Sequence, residues 1–220
     1  MFLGHFAVGF AAKRAVPEAS LATGLLAAQW ADVVWPIFLI TGLETVRIAP
    51  GNTAMTPLDF ISYPYSHSLL ALALWAAGFG GIYFWRRRDA LGAGVLAGAV
   101  LSHWLLDFAT HGPDMPLVPG GARYGLGLWR SVPATVTIEL LMFAAGLAVY
   151  LRATKALDGV GRWGLIGLVT LMVVFYFGAA FGPPPPSIAL IQWSALAGAA
   201  LLIAFAGWVD RHRARRVGES

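Results

Sequence analysis

Cysteine is absent from the 220 residues. That excludes disulfides, thiolate metal ligands and a cysteine nucleophile, so any metal site must be built from His, Asp and Glu. Charge is scarce too: Asp, Glu, Lys and Arg make up 12% of the chain, against 58% hydrophobic residues. An ordinary soluble domain carries about twice that charge, so the composition excludes that class. Glycine is abundant, at 26 residues, yet no phosphate-cradling loop of the P-loop type is formed from it. The formal net charge of +4 comes mostly from arginines at the ends of apolar runs. Such charges set membrane orientation, and no nucleic-acid partner is expected. A secretory leader is not expected either. The opening MFLGHFAVGFAAKR places its basic pair after the apolar part, not before it.

What the chain has instead is a series of apolar runs of membrane-spanning length. They fall at about 18–41, 66–85, 90–111, 133–151, 163–181 and 187–209, cut by charges, prolines and glycines. Residues 2–12 read as a retained short helix, too short to span alone. The expected fold is therefore all-α: a polytopic integral-membrane bundle of six full spans plus a short N-terminal helix. It forms one membrane domain over residues 1–220, with the motifs in 1–151 and two further spans in 152–220. Pro17 and Glu18 suit the first turn of the first span. Pro183 to Pro186 cannot continue a helix and form the turn before the last span. Gly94-x-x-x-Gly98 is a small-residue pattern suited to close helix packing.

Four basic clusters mark orientation: Lys13/Arg14, Arg86 to Arg88, Arg152/Lys155/Arg162, and Arg211/Arg213/Arg215/Arg216. With six spans all four fall on one side, which the positive-inside rule makes cytoplasmic. Trp85, Trp163 and Trp208 lie at the same ends, as interfacial anchors do. The expected location is a bacterial cytoplasmic (inner) membrane, with the C-terminus inside.

The polar residues then gather in the outer leaflet. The stretch LSHWLLDFATH, residues 101–111, spaces His103, Asp107 and His111 at i, i+4, i+8, on one face of a helix. His67 opens the second span, Asp32 lies in the outer half of the first, and His5 sits at the outer end of the short helix. Imidazole and carboxylate are ligands for zinc, manganese or iron, with zinc the first choice. Ionisable groups are costly to keep in a membrane, which favours function over an inert polar stripe. No Lys or Arg lies in the outer halves of the spans to pair with Asp32. Each residue alone has a plainer reading: His5 as an interfacial histidine, His67 as an exposed helix start, Ser66 or Ser68 as a helix cap. Glu139 is either an acceptor for a ligating His or general base, or a protonated carboxyl bonded to a neighbouring helix. Asp114, in HGPDMP, is a turn residue or a further acid at the mouth. Arg123 and Arg130, in GGARYGLGLWR, either hold an anionic group or belong to a simple re-entrant turn.

These residues carry a resemblance. Gly4-His5 near the N-terminus, Asp32 in the first span, Tyr65-Ser66-His67-Ser68-Leu69-Leu70, and Ser102 to His111 together look like the membrane-bound metal-dependent hydrolases. That family includes LexA-regulated inner-membrane members. The resemblance covers about residues 1–150. The chain departs from the family in having a single Asp32 where many members have a D-x-D-H-like cluster, and Tyr63-Pro64-Tyr65 where they have His-Arg.

The resemblance implies a metal site, and with the placement of the polar residues the leading expectation is a metal-dependent hydrolase, with His5, Asp32, His67, His103, Asp107 and His111 as ligands to one metal or to two. Glu139 or Asp114 would handle the proton. Arg123, Arg130, Ser66 and Ser68 would contact a lipid-like or phosphoester substrate. Two other classes stay open at this stage. One is a proton- or metal-ion-linked transporter, the other a metal-stabilised membrane protein without turnover.

Overall fold

The computed structural model describes residues 1–216. It is all-α, with nine α-helices among the described residues and three two-stranded ribbons at its ends. The short N-terminal helix is α1, Leu3–Ala15. At about 1.5 Å per residue it is roughly 20 Å long. It is also the central element, buried along most of its length and packed on α2 (Leu21–Ala28), α6 (Ala90–Thr110) and α7 (Val132–Ala153). Glycine permits this. A Cβ on Gly9 would lie 2.8 Å from the Leu25 Cα and 3.0 Å from the Gly24 carbonyl oxygen. A Cβ on Gly146 of α7 would run into the Ala7 backbone. The Gly94 and Gly98 pair expected to serve this purpose faces open space.

Five helical segments are long and apolar enough to cross a membrane: α5 (Leu69–Arg87), α6, α7, Val160–Phe181, which contains α8 (Leu165–Phe181), and α9 (Ile188–Arg211). The expected first span, 18–41, is not a single helix. It breaks at Gln29 into α2 and α3 (Trp30–Ile40), with a bend of 58° between them. The structure thus shows five such helices plus one bent pair, which makes a sixth span where α2 and α3 cross together. Hydropathy could not reveal this, because the run stays apolar through the break and no Gly or Pro marks it. Pro36 lies a full turn and more beyond, inside α3.

The connections at the end opposite the basic tail are ordered. β1 (Thr45–Ile48) and β2 (Leu58–Ser62) form an antiparallel hairpin, which leads into the single-turn helix α4, Pro64–His67. After α6, β3 (Met115–Pro116) pairs with β4 (Arg123–Tyr124). At the opposite end β5 (Thr154–Ala156) pairs with β6 (Arg213–Arg215), tying the basic tail to the loop after α7.

That basic end has its own polar centre. Asp210 of α9 accepts from Lys13 Nζ at 2.8 Å, from the Leu21 N–H at 3.0 Å and from the Tyr150 hydroxyl at 3.1 Å. One carboxylate thus joins the ends of α1, α2, α7 and α9. Between this centre and the outer end the packing is apolar, with Phe10, Leu21, Leu25 and Phe143 fully or almost fully buried.

Replacing Asp210 with Ala strands a shielded ammonium, an N–H and a hydroxyl. The loss should be about 3 kcal/mol, measured by denaturant unfolding in micelles. A loss below about 1 kcal/mol would mean that water takes the place of the carboxylate.

Candidate metal centre

Four separate elements deliver the site. α6 supplies His103 and Asp107, one turn apart, and His111 caps its C-terminus. α4 supplies His67, α1 supplies His5 in its first turn, and α3 supplies Asp32 in its first turn. The sequence-expected ligands are therefore brought together, all at the end opposite Asp210. His5, His67, His103, Asp107 and His111 are buried; the Asp32 side chain is 40% exposed and forms the open side.

The break in α2–α3 has a direct effect here. It leaves the Ala28 carbonyl available, and His103 Nδ1 lies 2.9 Å from it. A carbonyl only accepts, so Nδ1 carries a proton, and in the neutral ring Nε2 keeps its lone pair. Nε2 is fully buried and has no hydrogen-bond partner. Around it stand Asp107 Oδ2 at 3.2 Å and Asp32 Oδ1 at 3.7 Å. His67 Nε2 lies 3.5 Å from Asp32 Oδ1 and 3.7 Å from Asp107 Oδ2. These four atoms form a ring with edges of 3.2–3.7 Å. Four ligands held tetrahedrally at about 2.0–2.1 Å from a zinc ion would stand about 3.3 Å apart. The four edges are close to that value, and the donor set suits a divalent metal in charge and in chemistry. Among the described residues, no Lys or Arg forms an ion pair with either carboxylate.

The other oxygen of Asp107, Oδ1, is occupied differently. It accepts from the Met1 amine and lies 3.0 Å from His5 Nε2. The His5 ring stacks on His103 at 3.7 Å, almost parallel, and its own Nδ1 has no partner. His5, His103 and Asp107 also lie close enough together to hold an ion, as do Asp32, His67 and His103. His111 stands further out. Its Nε2 is 4.0 Å from Asp107 Oδ2, and its Nδ1 is 3.2 Å from Asp114 Oδ1. Trp129, Phe60 and Tyr63 pack around its ring at centroid distances of 4.1, 4.9 and 6.0 Å. Burial raises the Tyr63 phenol well above its ordinary range, which keeps its proton in place as a donor.

The remaining expected residues have definite places. Glu139 is not in the ligand ring. Its Oε2 accepts the N–H groups of Phe2 at 2.8 Å and Gly4 at 3.3 Å, so a buried carboxylate of α7 caps α1. It thereby fixes the turn that carries His5. Asp114 is bonded to His111 at the rim. Ser68 caps α5, accepting from the Ala71 N–H at 3.1 Å. Arg123 is exposed and donates to the Ile61 carbonyl, tying two outer loops together. Arg130 is exposed, beside Trp129. The GGARYGLGLWR segment is strapped to the end of α6 by the N–H groups of Leu126 and Gly127, bonded to the carbonyls of Phe108 and His111. One buried residue at this end was missed by the sequence reading: Glu44, which bonds to Ser66. It sits in a short loop with no motif around it, and only its burial reveals it.

No protein-family model, curated protein or solved structure matches the chain.

The cap on α1 can be tested. Glu139→Ala leaves two buried N–H groups without an acceptor and should cost about 1–3 kcal/mol. Glu139→Gln, whose carbonyl oxygen still accepts, should lose much less. Thermal unfolding of both variants in one detergent distinguishes them; equal losses would mean that charge, not capping, is what matters.

Proposed function

We propose that the chain is a membrane-embedded metal-dependent hydrolase with its site in the outer leaflet. The observation that carries this reading is His103 Nε2: a buried ring nitrogen, without a hydrogen-bond partner, held against two carboxylates. Asp32, His67, His103 and Asp107 would hold the ion, with His5 and His111 beside it. The mixed nitrogen and oxygen donors favour zinc over calcium or magnesium. The ion would supply Lewis acidity and a water acidic enough to react near neutral pH.

Two features favour turnover over a purely structural metal and over transport. A structural site is closed, whereas Asp32 leaves one side of this ring open. A transport path needs polar groups through the membrane, whereas Phe10, Leu21, Leu25 and Phe143 fill the space between this ring and Asp210.

A phosphoester or lipid-linked substrate fits the depth of the site. Arg130 is on the rim to meet an anionic group. On the far side of α4, an apolar groove of about 570 Å³ is lined by Phe38, Leu43, Tyr65, Leu70, Leu74 and Trp75, among others, and suits an acyl chain. The resemblance to the membrane-bound metal-dependent hydrolases agrees with this reading. The basic clusters favour a bacterial inner membrane with the C-terminus in the cytoplasm and α2–α3 traversing as one bent span.

Purified wild-type protein should carry about one zinc equivalent by elemental mass spectrometry, as a single four-ligand site requires. His103→Ala and Asp107→Ala should lose it, together with hydrolysis of a lipid phosphoester in mixed micelles. Wild type that takes up neither zinc nor manganese on incubation would end the metal reading.

Orientation has a separate check, because the chain is its own cysteine-free background. Single cysteines at Gly51 and Gly120 should react with an impermeant maleimide in intact cells, whereas one at Asp158 should react only after lysis. The reverse pattern would invert the topology.

A further inference from the structure

Glu44 lies at the end of a relay that the proposed hydrolase chemistry does not itself use. Its carboxylate is buried, with the residue 3% exposed. Oε1 accepts the N–H groups of Tyr65 at 2.7 Å and Ser66 at 2.8 Å. Oε2 stands 2.6 Å from Ser66 Oγ, and the same Oγ stands 2.7 Å from His67 Nδ1. The order is therefore Glu44, Ser66, His67, and then the ring of metal-facing atoms.

We infer that Glu44 is a positioning residue: through the Ser66 hydroxyl, it decides which nitrogen of His67 is free to bind a metal. The inference rests on the metal-site reading and follows from counting protons. A serine hydroxyl has one hydrogen and two lone pairs, and an ionised carboxylate only accepts. Both main-chain N–H donors lie on Oε1, which leaves Oε2 to accept from the Ser66 hydroxyl. The hydroxyl proton therefore points to Glu44. The Ser66 oxygen can then only accept from His67, so the imidazole proton is on Nδ1. Nε2 is left with its lone pair toward Asp32 Oδ1 and Asp107 Oδ2, at 3.5 and 3.7 Å. Partners of this kind commonly tune a metal-ligating histidine. Here the carboxylate acts at one remove, with a serine in between. Ser66 is accordingly a carrier, with both its neighbours fixed, and not a nucleophile.

Glu44→Gln reverses the relay with hardly any change in shape. The two main-chain N–H groups require the amide oxygen at Oε1, which places the NH2 at Oε2. That group donates to Ser66, Ser66 must donate to His67 Nδ1, and the ring proton moves to Nε2. Zinc affinity, read by chelator competition on full-length protein in detergent, should fall 10–100-fold. Thermal unfolding of the metal-free variant should match wild type. Ser66→Ala should weaken zinc binding similarly while leaving Glu44 in place, and Ser66→Thr, which keeps the hydroxyl, should restore it.

The readout that a structural role would not move is the tautomer. In metal-free protein labelled with 15N-histidine, the His67 signal should report a proton on Nδ1 in wild type and on Nε2 in Glu44→Gln. Unchanged zinc affinity in both Glu44→Gln and Ser66→Ala would overturn the inference, as would an Nε2–H tautomer in the wild type. Should wild type bind no zinc, the metal reading fails by itself. The tautomer then still decides the relay: Nδ1–H in wild type sustains it and Nε2–H ends it. If Glu44→Gln does not fold, the Ser66 pair and the wild-type spectrum decide instead.

Discussion

The direction of the His103 ring governs the histidine-bearing end of this molecule. Its Nδ1–H is bonded to the Ala28 carbonyl, which is available because the helix stops at Gln29. A straight helix through residue 29 would bond that carbonyl to the Asp32 N–H, four residues on. It would also carry Asp32 along the continuing axis of α2. One break therefore does two things: it turns the imidazole inward and sends a carboxylate to meet it. Both partners are then fixed by main-chain geometry, which is more rigid than a pair of side chains holding each other.

The same orientation recurs around the ring by different means. His103 has its Nδ1 bonded to a main-chain carbonyl, His111 to the Asp114 carboxylate and His67 to a serine backed by Glu44. In each case Nδ1 is engaged away from Asp107 and Nε2 is turned toward it. Three histidines from two elements, α4 and the end of α6, with three different partners reach the same arrangement, which is more than packing alone requires, since a core histidine is equally well satisfied by bonds at either nitrogen. His5 is the exception. It uses Nε2 on Asp107 Oδ1, and its position depends on Glu139 capping the helix that carries it. It supports Asp107 and stacks on His103, so it acts on the ring from behind.

Much of this was legible in the sequence, and the remainder was hidden for identifiable reasons. The i, i+4, i+8 spacing placed His103, Asp107 and His111 together because one helix carries all three to its end. Helices α5 to α9 match the apolar runs to within a few residues, since length and hydropathy suffice where a helix is straight. The bend at Gln29 was not legible, because no residue there breaks a helix. The hairpin of Thr45–Ile48 with Leu58–Ser62 lies between two apolar runs, where hydropathy shows only a connection. The pairing of Thr154–Ala156 with Arg213–Arg215 joins segments nearly sixty residues apart, and no local pattern announces it. Glu44 was passed over since a lone glutamate in a polar loop resembles any other until its burial is known. Glu139 was noticed, but its partners are main-chain N–H groups, which no sequence pattern displays.

The two polar centres of the molecule make the closing comparison. Each is built on a shielded aspartate at one end of α1, and each gathers three or more elements. Asp210 meets an ammonium, an N–H and a hydroxyl, so every group facing it is a donor and the centre is complete. Asp107 meets donors on Oδ1 only. On Oδ2 it faces His103 Nε2, which has no hydrogen-bond partner, and the open carboxylate of Asp32. Two carboxylates brought together in a shielded site cost free energy unless positive charge lies between them. The chain demonstrably can build a satisfied polar junction, as it does at Asp210. That it sets two carboxylates against histidine nitrogens at the opposite end, and leaves that end open at Asp32, is the physical reason to propose a metal there and a clasp at Asp210.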